Sequence, residues 1–138
     1  MELTRRNAIL LGAGAVLASG LPALASTATD DAIATFTGGA AVGEGDLKLT
    51  APEIAENGNT VPIEVASSTA VEIMVLATGN PTPSVATFKF GSMAATRNAS
   101  TRIRLAGTQD VVAIAKLEDG SFVQASSAVK VTIGGCGG

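Results

Sequence analysis

From Asp46 onward the apolar residues recur at every second position in short runs, and turn-forming residues separate the runs. Leu47 and Leu49 alternate with Asp46 and Lys48, and Val61, Ile63 and Val65 with Pro62, Glu64 and Ala66. Ile103 and Leu105 oppose Arg102 and Arg104, and Val129, Val131 and Ile133 oppose Lys130 and Thr132. Side chains of a strand point to opposite faces in turn, so each run presents one apolar face to a core. Asn57-Gly58-Asn59, Gly79-Asn80-Pro81-Thr82-Pro83 and Glu118-Asp119-Gly120 are the turn signals between them. Ala70 to Leu76 and Val85 to Phe90 read as further strands. Val111 to Leu117 and Ser121 to Ile133 read as a hairpin, with Phe122 packing inward. Pro62 has no amide hydrogen to donate, so its strand is expected at an edge, or to begin after the proline.

Before this region, Ser26 to Gly39 predicts a short helix capped by Asp30 or Thr29. Ile33 and Phe36 fall on one face of it, and Gly38-Gly39 stops it. The expected fold is all-β: an immunoglobulin-like β-sandwich of six or seven strands. A short N-terminal helix precedes it, and a flexible glycine-rich C-terminal arm follows. Aromatic residues make up 3% of the chain, so Val, Ile, Leu and Ala must fill the core. Each buried aliphatic side chain contributes about 1.5–3 kcal/mol, and a domain of this size is then only marginally stable alone. A stabilising partner subunit is physically reasonable.

Residues 1–25 read as an export signal. Thr4-Arg5-Arg6-Asn7 precedes a small, apolar run from Ala8 to Leu21, and Ala23-Leu24-Ala25 supplies an A-x-A cleavage pattern. Paired arginines before such a run point to twin-arginine export, with the ordinary secretory route as the alternative. The apolar run, about 14 residues, is short of the about 20 that a membrane-spanning helix needs. Cleavage after Ala25 or after Ala28 both fit. The expected organisation is thus a signal peptide over 1–25, one domain over 26–133, and an arm over 134–138. Removing Glu2, Arg5 and Arg6 leaves seven basic and eleven acidic residues, with no Lys/Arg cluster. Neither nucleic acid nor a membrane surface is an expected partner.

The chain ends in Gly134-Gly135-Cys136-Gly137-Gly138, and Cys136 is its only cysteine. Histidine, tryptophan and tyrosine are absent. Without histidine there is no Cys–His nucleophile pair and no ordinary zinc or copper site, so no metal, cofactor or catalytic residue is expected. A single cysteine makes no internal disulfide, which leaves it reactive or available for a bond to another molecule. Gly134, Gly135, Gly137 and Gly138 would let thiol and backbone enter a narrow cleft together. The local sequence supplies no cation to favour the thiolate. Cys136 therefore reads as a covalent attachment point acted on by a partner enzyme. The alternative is an exported immunoglobulin-like adhesion or binding module with an incidental or disulfide-forming terminal thiol. Arg97, Arg102 and Arg104 are candidates for anion binding, the last two on one strand face; a merely solvated face is the commoner meaning of such a pair.

The tail Val131-Thr132-Ile133-Gly134-Gly135-Cys136-Gly137-Gly138 resembles that of the SoxY family, sulfur-carrier subunits of the periplasmic thiosulfate-oxidising Sox system. So do Leu49-Thr50-Ala51-Pro52-Glu53-Ile54-Ala55-Glu56-Asn57-Gly58, the Gly79 to Pro83 turn, Ser100-Thr101-Arg102-Ile103-Arg104-Leu105 and Asp119-Gly120-Ser121. The blocks occur in order across nearly all of the chain after residue 25. The resemblance implies that Cys136 bears the substrate as a covalent adduct and that the chain is not itself a catalyst. It also implies a SoxZ-like subunit as heterodimer partner. A c-type cytochrome, a sulfate-releasing hydrolase and a sulfane dehydrogenase would be transient partners.

Overall fold

The computed structural model describes residues 23–134. Helix α1 spans Ala23–Thr37. Nine strands follow: β1 Val42–Gly43, β2 Lys48–Thr50, β3 Ile54–Asn57, β4 Val61–Ser67, β5 Ala70–Ala77, β6 Ser84–Lys89, β7 Arg97–Ile103, β8 Gln109–Leu117 and β9 Phe122–Ile133. They form two sheets of an immunoglobulin-like sandwich. One runs β1-β9-β8-β5-β6 with β3 also paired to β9, and the other runs β2-β4-β7. Strand β2 falls on the Leu47 and Leu49 run, and the short strands β1 and β3 exceed the expected count because two to four residues carry too little alternation to be seen.

The period-two runs bury the faces assigned to them over most of their length, Ile133 at the end of β9 being exposed instead. Val61, Ile63 and Val65 of β4 are buried while Pro62 and Glu64 are exposed. They meet Ile73, Val75 and Ala77 of β5 and Val111, Ala113 and Ala115 of β8 in the core between the sheets. Strand β4 is not an edge strand, because it pairs with both β2 and β7. Its pairing with β2 covers only Glu64, Val65 and Ala66, so Pro62 lies where β7 alone is alongside. A proline is tolerated there, since no second neighbour asks for its missing donor.

Strand β5 departs from alternation for a different reason. Met74 and Leu76 point away from the sandwich core and are nonetheless buried, together with Ile114 and Phe122, under Ala32, Ile33 and Phe36 of the helix. Both faces of β5 are covered, so its sequence is almost continuously apolar. Phe36 and Phe122 meet edge to face, ring centres 5.8 Å apart at 72°, a favourable quadrupole arrangement. Phe122 thus packs against the helix, on the side of the sheet opposite the inter-sheet core.

Helix α1 begins at Ala23, three residues before the expected Ser26, which places Thr29 and Asp30 inside it rather than at its cap. The Ala-rich sequence propagates the helix through both. Thr29 is buried there with its Oγ1 unpartnered. The helix stops where expected, because Gly38 and Gly39 take φ of 65° and 87°, values that glycine adopts without steric cost. The β8–β9 hairpin also forms as expected. Gly120 has φ 85°, and Asp119 Oδ1 accepts from the Ser121 amide at 2.9 Å.

One carboxylate ties the loop before β2 to the β4–β5 corner. Asp46 Oδ2 accepts from the Ser68 amide (2.9 Å), the Ser68 hydroxyl, Thr69 Oγ1 (3.0 Å) and Ser67 Oγ (3.3 Å). The Ser68 hydroxyl is the main reason that its pKa lies below the ordinary 3.8, followed by the Ser68 amide. A depressed carboxylate stabilises the fold above its unfolded pKa and loses that contribution as the pH falls through its folded value. Asp46→Asn should therefore lower Tm by a few degrees at pH 6, with the gap to wild type narrowing progressively below about pH 4. Thermal melts across pH check this, and a constant gap would contradict it. Phe122→Ala should cost about 3 kcal/mol. It should release the Ile33 and Phe36 amides to faster hydrogen exchange than those of β5, measured on the same sample.

Candidate functional site

The described chain ends at Gly134, one residue after β9, and the ground around that exit is tightly tied. Strand β8 accompanies β9 only as far as the Gln109–Val129 pair. Beyond it, β3 runs parallel to β9 on the other edge, with Ile54 opposite Lys130, Ala55 opposite Val131 and Asn57 opposite Ile133. The Lys130 amide donates to Glu53 O at 2.9 Å, and the Gly58 amide donates to Ile133 O at 2.7 Å. On the edge that β8 has left, Thr108 Oγ1 accepts from the Val131 amide at 2.9 Å and contacts Val131 O at 3.4 Å. A side chain thus continues the ladder where a strand has ended.

Gly134 itself is held by a backbone wall. A Cβ there would stand 2.4 Å from Ala106 O and 3.3 Å from its carbonyl carbon, closer than side-chain carbons approach backbone. Glycine at 134 is therefore a steric requirement of the exit, beyond any freedom it gives the arm. Ala106 is in turn fixed through Asn80, which is 2% exposed. Asn80 Oδ1 accepts from the Ala106 amide and from Gln109 Nε2, both at 2.9 Å. Its Nδ2 donates to Arg104 O at 2.8 Å. Gln109 closes the knot, donating to Gly107 O at 3.0 Å and accepting from the Gly79 amide at 2.9 Å. Leu105 donates to Gly58 O at 2.8 Å, so Gly58 bridges the segment after β7 to the end of β9.

Asn80 and Gly58 looked like turn chemistry in the sequence. Their turns exist, with Asn57 Oδ1 accepting from the Asn59 amide at 3.0 Å, but both residues also link segments that the sequence keeps far apart. No local signal marks Thr108 or Gln109. Of the arm, Gly134 is described; Gly135, Cys136, Gly137 and Gly138 lie outside the described residues, as do residues 1–22 of the predicted signal.

The three candidate arginines separate. Arg97 is buried, donating to Ala70 O at 3.1 Å and pairing with the Glu118 carboxylate. It braces the start of β7 against the sheet beside it and is not an anion site. Arg102 and Arg104 are exposed, on the outer side of the chain whose inner side carries buried Ile103 and Leu105. Among the described residues there is no group of three or more Cys, Asp or Glu that could hold a metal, and no helix long and apolar enough to cross a membrane.

The family model for the sulfur oxidation protein SoxY matches residues 33–136. The structure of the sulfur carrier protein SoxY from Chlorobium limicola f thiosulfatophilum superposes with a TM-score of 0.67 at 37% identity, over 78% of this chain and 99% of that one. A superoxide reductase (neelaredoxin) from Ignicoccus hospitalis superposes at 0.56 with 16% identity, over 64% of this chain and 82% of that one, a likeness of fold alone. No curated protein matched. With three-quarters of its length under the family model and 37% identity to a solved member, the chain belongs to the SoxY family of sulfur oxidation proteins.

Proposed function

We propose that this protein is a periplasmic sulfur carrier that holds thiosulfate-derived intermediates covalently on Cys136, exported by the twin-arginine signal over residues 1–25. The observation that carries the reading is the reach of the family match, which ends on residue 136, the chain's only cysteine. The chain offers a nucleophile and no histidine to serve as its base, which fits a substrate-bearing subunit served by other enzymes.

The chemistry on the thiol balances as follows. The Cys136 thiolate and thiosulfate join through a new S–S bond to give Cys–S–S–SO₃⁻, and two electrons leave to a c-type cytochrome partner. Water then attacks the terminal sulfonate in a hydrolase partner, breaking the S–SO₃ bond. Sulfate and two protons are released, and a persulfide remains on Cys136 for a sulfane dehydrogenase or another acceptor. A SoxZ-like subunit would complete the carrier as a heterodimer. The role of this chain is to bring the sulfur to each partner in a repeatable geometry. The tied exit at Gly134 supports that role, because it fixes the point at which the domain hands over to the segment that bears Cys136.

Two outcomes test this. Protein isolated from thiosulfate-grown cells should show mass adducts that reductant removes, and Cys136→Ser should abolish them; equal adducts on the serine variant would sink the reading. Gly134→Ala should slow partner-catalysed loading severalfold, because the new methyl must displace either the Ala106 carbonyl or the start of the arm. Its thiol should still react with a small aromatic disulfide at the wild-type rate. Unchanged enzymatic loading would mean that the launch point does not matter.

A further inference from the structure

Asn57-Gly58 is the only Asn-Gly pair in the chain, and its place at the end of β3 gives it a chemistry beyond its turn. A glycine after asparagine has no Cβ to obstruct its amide nitrogen, which can reach the asparagine Cγ and close a cyclic imide. The other asparagines among the described residues lack this route or hinder it. Asn80 precedes Pro81, which has no N–H. Asn59 and Asn98 precede Thr60 and Ala99, whose Cβ atoms crowd the approach.

The fold both prepares this reaction and restrains it. Asn57 is exposed to water, and its Oδ1 accepts from the Asn59 amide at 3.0 Å. That donor polarises the carbonyl under attack and stands where negative charge develops on its oxygen. Gly58, in contrast, is buried, and its amide donates to Ile133 O at 2.7 Å. The proton that must leave is thus engaged, and the nitrogen is aimed at β9 instead of at the Asn57 side chain. The imide closes only when Gly58 lets go of Ile133, a local opening where β3 meets the end of β9.

We propose that Asn57 is a site of spontaneous deamidation, held in check by the Gly58–Ile133 hydrogen bond, and that its isoaspartyl product unties the end of β9. Gly58 N loses its proton to hydroxide and bonds to Asn57 Cγ, and the carboxamide nitrogen leaves as ammonia. Water then opens the imide at either carbonyl, with no change of oxidation state. One opening gives aspartate, which leaves the main chain as it was and still accepts from the Asn59 amide. The other gives isoaspartate, which puts the side-chain methylene into the main chain and lengthens it before Gly58. Gly58 is clasped on both sides, its amide on Ile133 O and its carbonyl under the Leu105 amide at 2.8 Å. A lengthened main chain cannot keep both bonds. The site involves no sulfur chemistry and stands independently of the carrier reading.

Peptide mapping that separates asparagine, aspartate and isoaspartate tests this on the full chain held in mildly alkaline buffer. Asn57 should convert about tenfold faster in guanidinium chloride than under native conditions, and faster than Asn59 and Asn98 in both. Equal native and denatured rates at Asn57, or earlier conversion of Asn59 or Asn98, would overturn the restrained site. Thr108→Ala removes the hydroxyl that accepts from the Val131 amide on the other edge of β9. It should raise the native rate severalfold, leave the denatured rate unchanged, and speed hydrogen exchange of the Gly58 amide by the same factor. Either rate rising without the other would show that the bond to Ile133 is not the gate. In the purified isoaspartyl form, the Gly58 and Leu105 amides should exchange severalfold faster than in the unmodified chain, with Ala113 and Ile114 of β8 unchanged. Retained protection at Gly58 and Leu105 would refute the untying.

Discussion

Strand β9 changes partners two-thirds of the way along its twelve residues. Its first part is zipped to β8 and flanked by β1, while its last four residues rely on β3 and on the Thr108 hydroxyl. A sheet's terminal residues ordinarily fray, because a strand with one neighbour has half of its backbone groups open to water. Here the final carbonyl, Ile133 O, is still hydrogen-bonded by the Gly58 amide. Order therefore extends to the residue from which the arm leaves. The short strand β3, only four residues long, is the element on which this depends, and it is held in turn by the turn from Asn57 to Thr60.

The amide of Asn80 supports the other side of the exit. Burying it unpaired would cost about 1–3 kcal/mol, and each bond it makes adds only about 1 kcal/mol net. Three partners from Arg104, Ala106 and Gln109 make the burial favourable while fixing a loop that has no regular structure. A hydrophobic residue of similar size would fill the space and leave the Ala106 amide unpaired. The gain from asparagine is thus mainly directional: it sets where the Ala106 carbonyl lies, and that carbonyl leaves room only for glycine at 134.

These two features explain what could be read in the chain and what could not. The strands of the sandwich are legible because a half-buried strand must alternate, and β4, β7 and β9 obey that rule at Ile63, Ile103 and Val129. The helix stop is legible because Gly38 and Gly39 occupy backbone conformations that other residues avoid. Strand β5 was recognisable only as an apolar run, since its outer face meets a helix almost 40 residues earlier in sequence. The exit site is harder still. Asn80 bonds partners 24 to 29 residues away, and Gly134 meets Ala106 across a similar distance in the chain, so neither contact leaves a periodic trace. The glycine was visible, and the steric reason for it was not.

The cysteine count bears on the chemistry as much as the fold does. A carrier whose cargo is joined through S–S bonds is vulnerable to any second thiol on the same chain. On the proposed reading such a thiol would attack the sulfur bonded to Cys136, form an internal disulfide and expel the cargo. Intramolecular attack by a thiol within reach enjoys a large effective concentration. A stabilising internal disulfide, common in small exported domains, would bring a related hazard, because the carrier thiol could exchange with it. Stability has instead been built from aliphatic packing, the Asp46 and Asn80 hydrogen-bond clusters and the Arg97–Glu118 pair. On the proposed carrier reading, the lack of any second thiol in the chain leaves Cys136 with no internal competitor for its cargo.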